Sequence, residues 1–492
     1  MSKNDRIVTR FAPSPTGYMH VGNLRTALYS YLIAKANNGR FILRIEDTDR
    51  ERLVSDAVNI IIKTLKDTGL IYDEGPDIGG EHGPYIQSER KDIYLKYAKE
   101  LMEKGFAYYC FCDKERLDML QNDSTVSGYD RHCRNLSQAE IEKSLSENKP
   151  FVIRQKMPLE GSTSFVDLVF GEINTDNSEL QDQILLKADG YPTYNFAHVV
   201  DDYLMGVTHV VRGSEYLTST PKYVLLYDAF GWERPNYVHL PLMMGRSEDG
   251  TVSKLSKRHG SVSFQDLVAS GYLPEAILNY IALLGWNPKN SNQEIYTLDE
   301  LCKVFSIEGI NKSAPVFDYD KLKWINSKYI QSLPFDEYLK LAAEFESDFL
   351  KDHPCHEKIG MLLQGRISAF NQINDMACFF EALPDYGVEK FLNKKNKVTR
   401  DNARPLLEMA IDTLQNMDSW NNDALYSSLS KTAEDNGYKV GSLMWVIRIA
   451  ISGLEATPGG ATEIMEILGK QETMNRLNYA RKKLEKDCSV SS

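Results

Sequence analysis

The sequence predicts a multidomain α/β protein, and three observations support that prediction. The chain has 492 residues, too many for one hydrophobic core, and this length indicates about two to four domains. Strand and helix signals alternate over about the first hundred residues, which is typical of a parallel sheet with right-handed crossovers. After about Asn326 the pattern is almost entirely helical. We therefore expect α/β structure first and a helical domain last.

The alternating segment begins with an apolar strand at Ile7–Ala12. Pro13–Gly17 ends this strand because its two prolines cannot continue the ladder of hydrogen bonds. Val21–Ala36 has apolar residues at helical spacing, and Phe41–Ile45 is a second short apolar run. Asp47–Asp49 offers N-cap chemistry for a second helix. The order strand, helix, strand, helix therefore predicts one parallel sheet.

Ligands of such sheets bind at the carboxyl ends of the strands. Arg10–Ser14 and Glu46–Asp49 both lie at such ends in the predicted order, so we expect functional residues there. Strand-like runs return later and predict a second sheet inserted into the first domain: Phe151–Gln155, Phe165–Phe170 and Gln183–Lys187. Two further runs predict the returning strands of the first sheet: His209–Arg212 and Tyr237–Leu240.

The composition excludes several classes of protein. Hydrophobic residues make up 42% and charged residues 26%, as in ordinary globular proteins. No run approaches the roughly 18 apolar residues of a membrane span, and Leu443–Leu454, the best candidate, contains Arg448. The polar segment Met1–Arg6 predicts no signal peptide. Seven cysteines are few for this length and favour a reducing compartment, so we predict a cytoplasmic protein without membrane contact.

The net charge of −12 argues against a broadly basic surface, which phosphate contacts require. Two local stretches nevertheless concentrate lysine and arginine: Val388–Arg400 and Asn475–Lys486. Either stretch alone is more typical of a solvated helix face than of a binding surface.

Residues 13–23 read Pro-Ser-Pro-Thr-Gly-Tyr-Met-His-Val-Gly-Asn and predict a stiff loop that leads into a helix. A helix N-terminus gathers free N–H groups and partial positive charge, so it suits phosphates. His20 adds an imidazole donor, and Gly22 allows a nucleotide to approach the backbone. A bare His-x-Gly is equally compatible with a surface turn that happens to contain a histidine.

The second motif is Ser253–Gly260, which reads Ser-Lys-Leu-Ser-Lys-Arg-His-Gly. Its three cations, Lys254, Lys257 and Arg258, and its small residues predict a mobile loop that closes on a triphosphate. Taken in isolation, such a loop is more often a solvated basic turn.

Together the two motifs resemble the signatures of class I aminoacyl-tRNA synthetases. His20–Asn23 resembles the HIGH motif and Lys254–Arg258 resembles the KMSKS loop, although three residues differ from the usual histidine, methionine and serine: Asn23, Leu255 and Arg258. The longer strings Arg10–Asn23 and Arg44–Arg50 resemble the glutamyl branch, which shares the first string in part with glutaminyl enzymes. The chain is thus identified as resembling bacterial glutamyl-tRNA synthetases.

This resemblance implies an activity. Glutamate would react with ATP, in the presence of Mg²⁺, to give glutamyl-adenylate and pyrophosphate, and glutamate would then pass to the 3′-terminal adenosine of tRNA(Glu). Whether tRNA(Gln) is also charged stays open. The implied catalytic residues are His20, Lys254 and Lys257, and the implied ATP-binding set is Pro13, Thr16, Gly17, His20, Gly22, Asn23, Lys254, Leu255, Ser256, Lys257 and Arg258.

The resemblance also implies a glutamate pocket. A guanidinium pairs bidentately with a carboxylate and offers the amide of glutamine no acceptor. Arg10 and Arg212 would surround the carboxylates, Glu46 would take the ammonium and Tyr194 would orient the ligand. His198 stands where relatives often carry asparagine. The remaining implied contacts are Ala12, Ser14 and Glu215. For each residue the alternative is an ordinary structural ion pair or packing contact.

Cys110, Cys112 and Cys133 predict a structural zinc site. With Tyr129 or His132 as the fourth ligand, they could complete a tetrahedron. The spacing resembles a zinc knuckle found in part of the glutamyl family. The alternative is a group of three reduced, buried or half-buried cysteines.

By resemblance the chain divides into five segments: a Rossmann-like catalytic domain at 1–90 and 199–241, an inserted α+β acceptor-stem-binding domain at 91–198, a stem-contact region at 242–326 and an all-α C-terminal anticodon-binding domain at 327–492. The basic stretches near residues 388–400 and in the last helix are then candidates for contacts with the tRNA backbone. We also predict a monomer.

Three alternatives to a glutamyl enzyme stay open at this point. A glutaminyl-tRNA synthetase typically has a β-barrel C-terminal half. A truncated paralogue that glutamylates a tRNA base lacks an anticodon domain. A non-catalytic tRNA-binding relative would not need intact phosphate motifs.

Overall fold

A computed structural model describes residues 6–49, 54, 56–122, 128–247, 249–260, 262–289 and 291–490, without the side chains of 121, 122, 257 and 487–490. The chain divides into two compact units. The first comprises Met1–Ala269 with Pro274–Leu322, and the second comprises Ser270–Leu273 with Lys323–Ser492. Of the residues named above, Arg50 and the side chain of Lys257 lie outside the description.

The described strands all belong to the first unit. They are β1 (Val8–Phe11), β2 (Arg40–Leu43), β3 (Ala107–Cys110), β4 (Val152–Gln155), β5 (Ser162–Asp167), β6 (Gly171–Asp176), β7 (Ile184–Leu186), β8 (His209–Gly213), β9 (Asn236–Leu240), β10 (Met244–Arg246) and β11 (Val252–Lys254).

The strands form a parallel core with antiparallel additions. β1 pairs with β2 and β8 pairs with β9, both in parallel. The backbone N–H of Thr208 donates to the carbonyl of Val8 at 2.9 Å, which places β8 beside β1. A four-stranded sheet has the order β6-β5-β9-β8, and a separate three-stranded sheet has the order β3-β4-β7. The inserted segment therefore adds two of its strands to the first sheet and keeps the others apart.

The first unit also contains the helices α1 (Val21–Ala36), α2 (Ala57–Asp67), α3 (Lys91–Glu103), α4 (Lys114–Asn122), α5 (Gln138–Ser146), α6 (Tyr194–Leu204), α7 (Thr220–Phe230), α8 (Phe264–Ala269), α9 (Pro274–Leu283) and α10 (Leu298–Val304). α11 (Tyr319–Ser332) begins in the first unit and ends in the second. The domain boundary predicted after residue 326 thus falls within a helix.

The second unit continues with α12 (Phe335–Ala342), α13 (Asp348–Lys351), α14 (His356–Gln364), α15 (Ile373–Glu381), α16 (Arg400–Gln415), α17 (Asn422–Asp435), α18 (Val440–Ser452) and α19 (Ala461–Val490). Gly469, with a φ of 74°, interrupts α19. Beyond residue 326 the described chain holds helices and one isolated β-bridge, between Asn393 and Val398. The predicted change to helical structure is confirmed.

α1 has the bounds that its apolar spacing predicts. Leu24, Leu28 and Leu32 are completely buried, and His20 caps its first turn. The second helix begins at Ala57, later than Asp47–Asp49 predicts. That prediction was wrong because the carboxylate of Asp47 accepts hydrogen bonds from the backbone and hydroxyl of Ser88, at 2.7 and 2.5 Å, so it is not available as a cap.

The apolar run at Leu443–Leu454 is a buried helix, as predicted. Nine residues of α18 are buried, among them Leu443, Val446 and Ile449. In the described part of the chain, no helix has the length and apolar character needed to cross a bilayer.

Candidate active site

A cavity of about 770 Å³ opens at the carboxyl ends of β1 and β8. It gathers most of the residues that the sequence predicts for ATP and glutamate: Arg10, Ala12, Pro13, Ser14, Thr16, His20, Gly22, Asn23, Glu46, Tyr194, Arg212, Glu215, Lys254, Leu255 and Ser256. The two motifs, about 230 residues apart in the chain, thus line one space.

Three predicted residues are not among those that line the cavity: Gly17, His198 and Arg258. His198 is buried behind the cavity, with its ring centroid 4.9 Å from Tyr194 and 4.4 Å from Tyr223. Its Nδ1 lies 3.6 Å from a carboxylate oxygen of Asp202. Burial lowers the pKa of His198 to about 3, so the ring is neutral at physiological pH and packs beneath Tyr194.

His20 stands at the first turn of α1 and faces the cavity. Its Nδ1 accepts a hydrogen bond from the backbone N–H of Gly22 at 3.0 Å. This contact leaves the proton of the neutral ring on Nε2, which becomes a donor for a ligand. Burial, and then the nearby Lys254, lowers the pKa of His20. A side chain on Gly22 would bring a Cβ to 3.2 Å from His20 Nδ1, so glycine preserves this contact.

The Lys254 loop is held at its base. The backbone N–H of Leu255 donates to the carbonyl of Met243 at 2.9 Å, and the Leu255 side chain is buried. Arg258 donates to the hydroxyl of Ser253 at 2.6 Å, inside the loop. The exposed side chain of Lys254 lines the cavity and can reach a phosphate there.

A buried ionic network lies behind the cavity. Arg10 donates through Nε to Asp202 at 3.0 Å, and Arg44 donates to the same oxygen at 2.8 Å. Arg44 also donates to Glu46 at 3.0 Å. Arg90 pairs with Asp201 at 2.7 Å. Because buried charges require partners, these contacts hold Arg10 and Glu46 in fixed positions.

Glu46 has an unusual environment. It is 5% exposed, and burial raises its pKa to about 7, while Arg44 and Arg10 act in the opposite direction. A carboxylate held at the edge of a cavity in this way can bind an ammonium group and becomes better solvated electrostatically when it does.

Arg212 is prepared to bind an anion. Its Nε donates to Nε2 of His239 at 3.1 Å and its Nη2 donates to the hydroxyl of Thr220 at 2.8 Å. Its Nη1 is buried and has no hydrogen-bond partner among the described residues. Since an unpaired buried guanidinium N–H is costly, a ligand acceptor at that atom is the natural partner.

The sequence did not point to several residues of this site. Arg44 was quoted only as part of a motif, and Asp201, Asp202, Thr220 and His239 were not named. One signal was available, since Asp201–Asp202 is an acidic pair in the otherwise apolar stretch of α6. Their partners lie far away along the chain, so spacing alone could not have paired them.

The three predicted cysteines form a cluster. The sulfurs of Cys110, Cys112 and Cys133 lie within 4.8 Å of one another, the one group of this kind among the described residues. The Tyr129 hydroxyl lies 3.3 Å from the Cys110 sulfur and 3.7 Å from the Cys112 sulfur. His132 is exposed and is not part of the cluster.

The basic stretches of the second unit are partly used in internal contacts. Arg476 is buried and donates to the carbonyls of Phe379 and Ile451 at 2.6 and 2.7 Å. Lys390 donates to the carbonyl of Gly453 at 2.9 Å. Exposed cations remain on the first stretch: Lys394, Lys395, Lys397 and Arg400.

Comparisons with known proteins identify the family. Residues 6–324 match the family described as tRNA synthetases class I (E and Q), catalytic domain. Residues 336–481 match an anticodon binding domain. The chain is 53% identical to a glutamate–tRNA ligase of Clostridium acetobutylicum, over 99% of this chain and 100% of that relative. It is also 53% identical to one of Clostridium novyi, over 97% and 98%.

Solved structures agree with these matches. A crystal structure of a glutamate tRNA ligase from Elizabethkingia meningosepticum, in complex with its amino acid, superposes with a TM-score of 0.84 and 34% identity, covering 98% of this chain and all of that one. The glutamate-tRNA synthetase of Elizabethkingia anophelis gives a TM-score of 0.85 at the same identity, covering 97% of this chain. The chain therefore belongs to the class I tRNA synthetases of the glutamate and glutamine family.

Proposed function

We propose that this chain ligates L-glutamate to tRNA(Glu) at the cavity between His20 and Arg212. The observation that carries the proposal is the pairing of two sites in one space. A helix N-terminus with a histidine donor and Lys254 can hold a triphosphate. The unpartnered Nη1 of Arg212 can hold a carboxylate a short way along the same cavity.

The first reaction needs little proton transfer by side chains. An α-carboxylate oxygen of glutamate attacks the α-phosphorus of ATP, the bond to the bridging oxygen breaks, and pyrophosphate leaves with that electron pair. ATP enters with Mg²⁺, which neutralises part of the triphosphate charge. The Nε2–H of His20 and the ammonium of Lys254 would donate to phosphoryl oxygens as charge develops. Lys257 is proposed to act beside Lys254.

Selection of glutamate follows from the charges around the cavity. Arg212 would pair with the γ-carboxylate and Glu46 with the ammonium. Arg10 lies nearby, with its Nε and Nη1 committed to Asp202 and to the carbonyl of Val211. An amide in place of the γ-carboxylate would turn its NH₂ toward a guanidinium donor, a mismatch that costs about 1–3 kcal/mol or more.

The alternative of a glutaminyl enzyme is not favoured. Its expected β-barrel is absent from the described part of the chain after residue 326, which is helical. The match to an anticodon binding domain over residues 336–481 supports tRNA as the acceptor. We propose tRNA(Glu) as the substrate and leave tRNA(Gln) to a charging assay. The monomeric state and the cytoplasmic location stay predictions from the sequence.

We also propose that the cysteine cluster binds one structural zinc ion. Zinc–sulfur bonds of about 2.3 Å set tetrahedral sulfurs about 3.8 Å apart, and the sulfurs of Cys112 and Cys133 are 3.6 Å apart. Tyr129 is the proposed fourth ligand because its hydroxyl lies near Cys110 and Cys112. Metal analysis of the purified protein tests this: about one zinc per chain is expected, and zinc far below that level would contradict it.

Charging assays test the proposed function. Purified protein, ATP, Mg²⁺ and labelled glutamate are combined with tRNA(Glu) or tRNA(Gln) transcripts. The expected result is acid-precipitable glutamyl-tRNA(Glu) with the wild type and strongly reduced charging with Lys254→Ala. Charging with glutamine in preference to glutamate, or no charging at all, would contradict the proposal.

A further inference from the structure

The back of the Arg212 guanidinium rests on a buried pair of residues, Asp167 and His239. Arg212 lies in β8 directly opposite His239 in β9. Asp167 is the last residue of β5, and that strand pairs with β9 at Tyr237. Both Asp167 and His239 are essentially completely buried, at 1% and 0% exposure.

The hydrogen bonds fix the proton of His239. The Nε–H of Arg212 donates to His239 Nε2 at 3.1 Å, so Nε2 must be an acceptor. The proton of the neutral ring therefore sits on Nδ1, which lies 2.7 Å from Asp167 Oδ2. Burial lowers the pKa of His239, in agreement with a neutral ring.

Asp167 is itself held rigidly. Its Oδ1 accepts the backbone N–H groups of Val169 and Phe170 at 2.9 and 2.8 Å. Its Oδ2 accepts the backbone N–H of His239 at 3.0 Å besides the ring contact. With every direction around the carboxylate occupied, the carboxylate holds the tautomer and the rotamer of His239.

We infer that Asp167 and His239 are positioning residues that aim the free Nη1 of Arg212 at the substrate's side-chain carboxylate. His239 and Thr220 take the rear N–H groups of the guanidinium, which leaves Nη1 as the donor without a protein partner in the described structure. This inference rests on the proposed function. It extends that function because the inserted segment, through Asp167, takes part in selecting the amino acid.

Two substitutions of His239 separate the two halves of the pair. Glutamine can place its amide oxygen near the position of Nε2, so His239→Gln keeps an acceptor for Arg212. Asparagine can place its amide nitrogen near the position of Nδ1, so His239→Asn keeps the contact with Asp167 and loses the one with Arg212. Thr163→Val is the matched control, since Thr163 is a buried polar residue of the same strand β5 that bonds to Asn177 instead.

The readouts are the KM for glutamate and the KM for ATP in tRNA-dependent pyrophosphate exchange, with thermal melting of each variant. We expect His239→Asn to raise the KM for glutamate about tenfold or more, as for loss of a hydrogen bond to a charged group. The KM for ATP should stay within about twofold of the wild type, because a local change at Arg212 leaves the phosphate site intact. His239→Gln should lie close to the wild type in both.

Equal effects of His239→Asn and Thr163→Val on both constants would overturn the inference. If His239→Asn does not fold, His239→Gln decides: a folded variant with a tenfold higher KM for glutamate contradicts the inference, and a value near the wild type supports it. Because wild-type exchange is measured first, failure of the proposed function appears there and failure of this inference appears only in the variants.

Discussion

Four buried arginines and four buried carboxylates meet behind the cavity: Arg10, Arg44, Arg90 and Arg212 with Glu46, Asp167, Asp201 and Asp202. Buried charges are stable only when paired and hydrogen-bonded. Most N–H groups of these arginines are used within the protein, and the Nη1 of Arg212 is left for a ligand. At the scale of residues, the network fixes the direction of one guanidinium group.

The pKa of Glu46 predicts a pH dependence. Burial raises it to about 7, so Glu46 is largely protonated below that pH and cannot pair with an ammonium group. We expect the KM for glutamate to rise about tenfold as the pH falls from about 8 to about 6. The KM for ATP should change little over this range because His20, whose pKa is lowered, stays neutral. Pyrophosphate exchange at several pH values checks this, and a flat profile for glutamate would contradict it.

His20 combines two roles that a substitution can separate. Its Nδ1 caps α1 and its Nε2–H faces the cavity. Asparagine keeps the capping acceptor but is too short to reach a phosphate, so His20→Asn should melt near the wild-type temperature. We expect kcat for exchange to fall about 100-fold, as for loss of one charge-stabilising donor. A kcat within threefold of the wild type, measured at about saturating substrates, would exclude this role.

At the scale of elements, the cavity depends on how strands from distant parts of the chain end beside one another. β5 comes from the inserted segment, yet it pairs with β9 and carries Asp167 to the base of the site. The sequence predicted strands at both places but not their pairing, since periodicity reports which face of a strand is buried and not its neighbour. The positions of α1 and its N-cap, by contrast, follow from local chemistry and were predicted.

The turn between α1 and β2 leaves no space for a side chain. A Cβ on Gly39 would lie 2.2 Å from the carbonyl oxygen of Ile7 and 2.9 Å from that of Ala34. We expect Gly39→Ala to cost about 1–3 kcal/mol through forced backbone movement and to lower the melting temperature. Gly365→Ala is the control, since a Cβ there meets nothing within 4 Å. Equal melting of the two variants would show that the turn adapts without cost.

At the scale of the whole molecule, the chain carries two units with different tasks. The residues of the cavity belong to the first unit, and the match to an anticodon binding domain lies in the second. The motifs made the family predictable from the sequence, because phosphate binding requires particular residues at particular spacings. The basic stretches were less informative, since charge alone does not distinguish Arg476, which is buried among carbonyls, from exposed Lys394.

The exposed cations of the second unit are predicted to contact the tRNA backbone. Replacing Lys394 and Lys395 with glutamine should raise the KM for tRNA and reduce the salt dependence of binding by about one unit of slope per lost phosphate contact. The KM for glutamate should not change. Lys431→Gln, an exchange of another lysine in the same unit, is the control. Unchanged tRNA affinity and salt dependence in the double variant would place the binding surface elsewhere.

The most direct test of the central claim is pyrophosphate exchange with purified protein, tRNA(Glu), ATP and either glutamate or glutamine. An Arg212 that selects a carboxylate predicts rapid exchange with glutamate and an at least about hundredfold lower kcat/KM with glutamine. It also predicts that Arg212→Gln loses most of this preference. Equal exchange with both amino acids, or a preference for glutamine, would contradict the account.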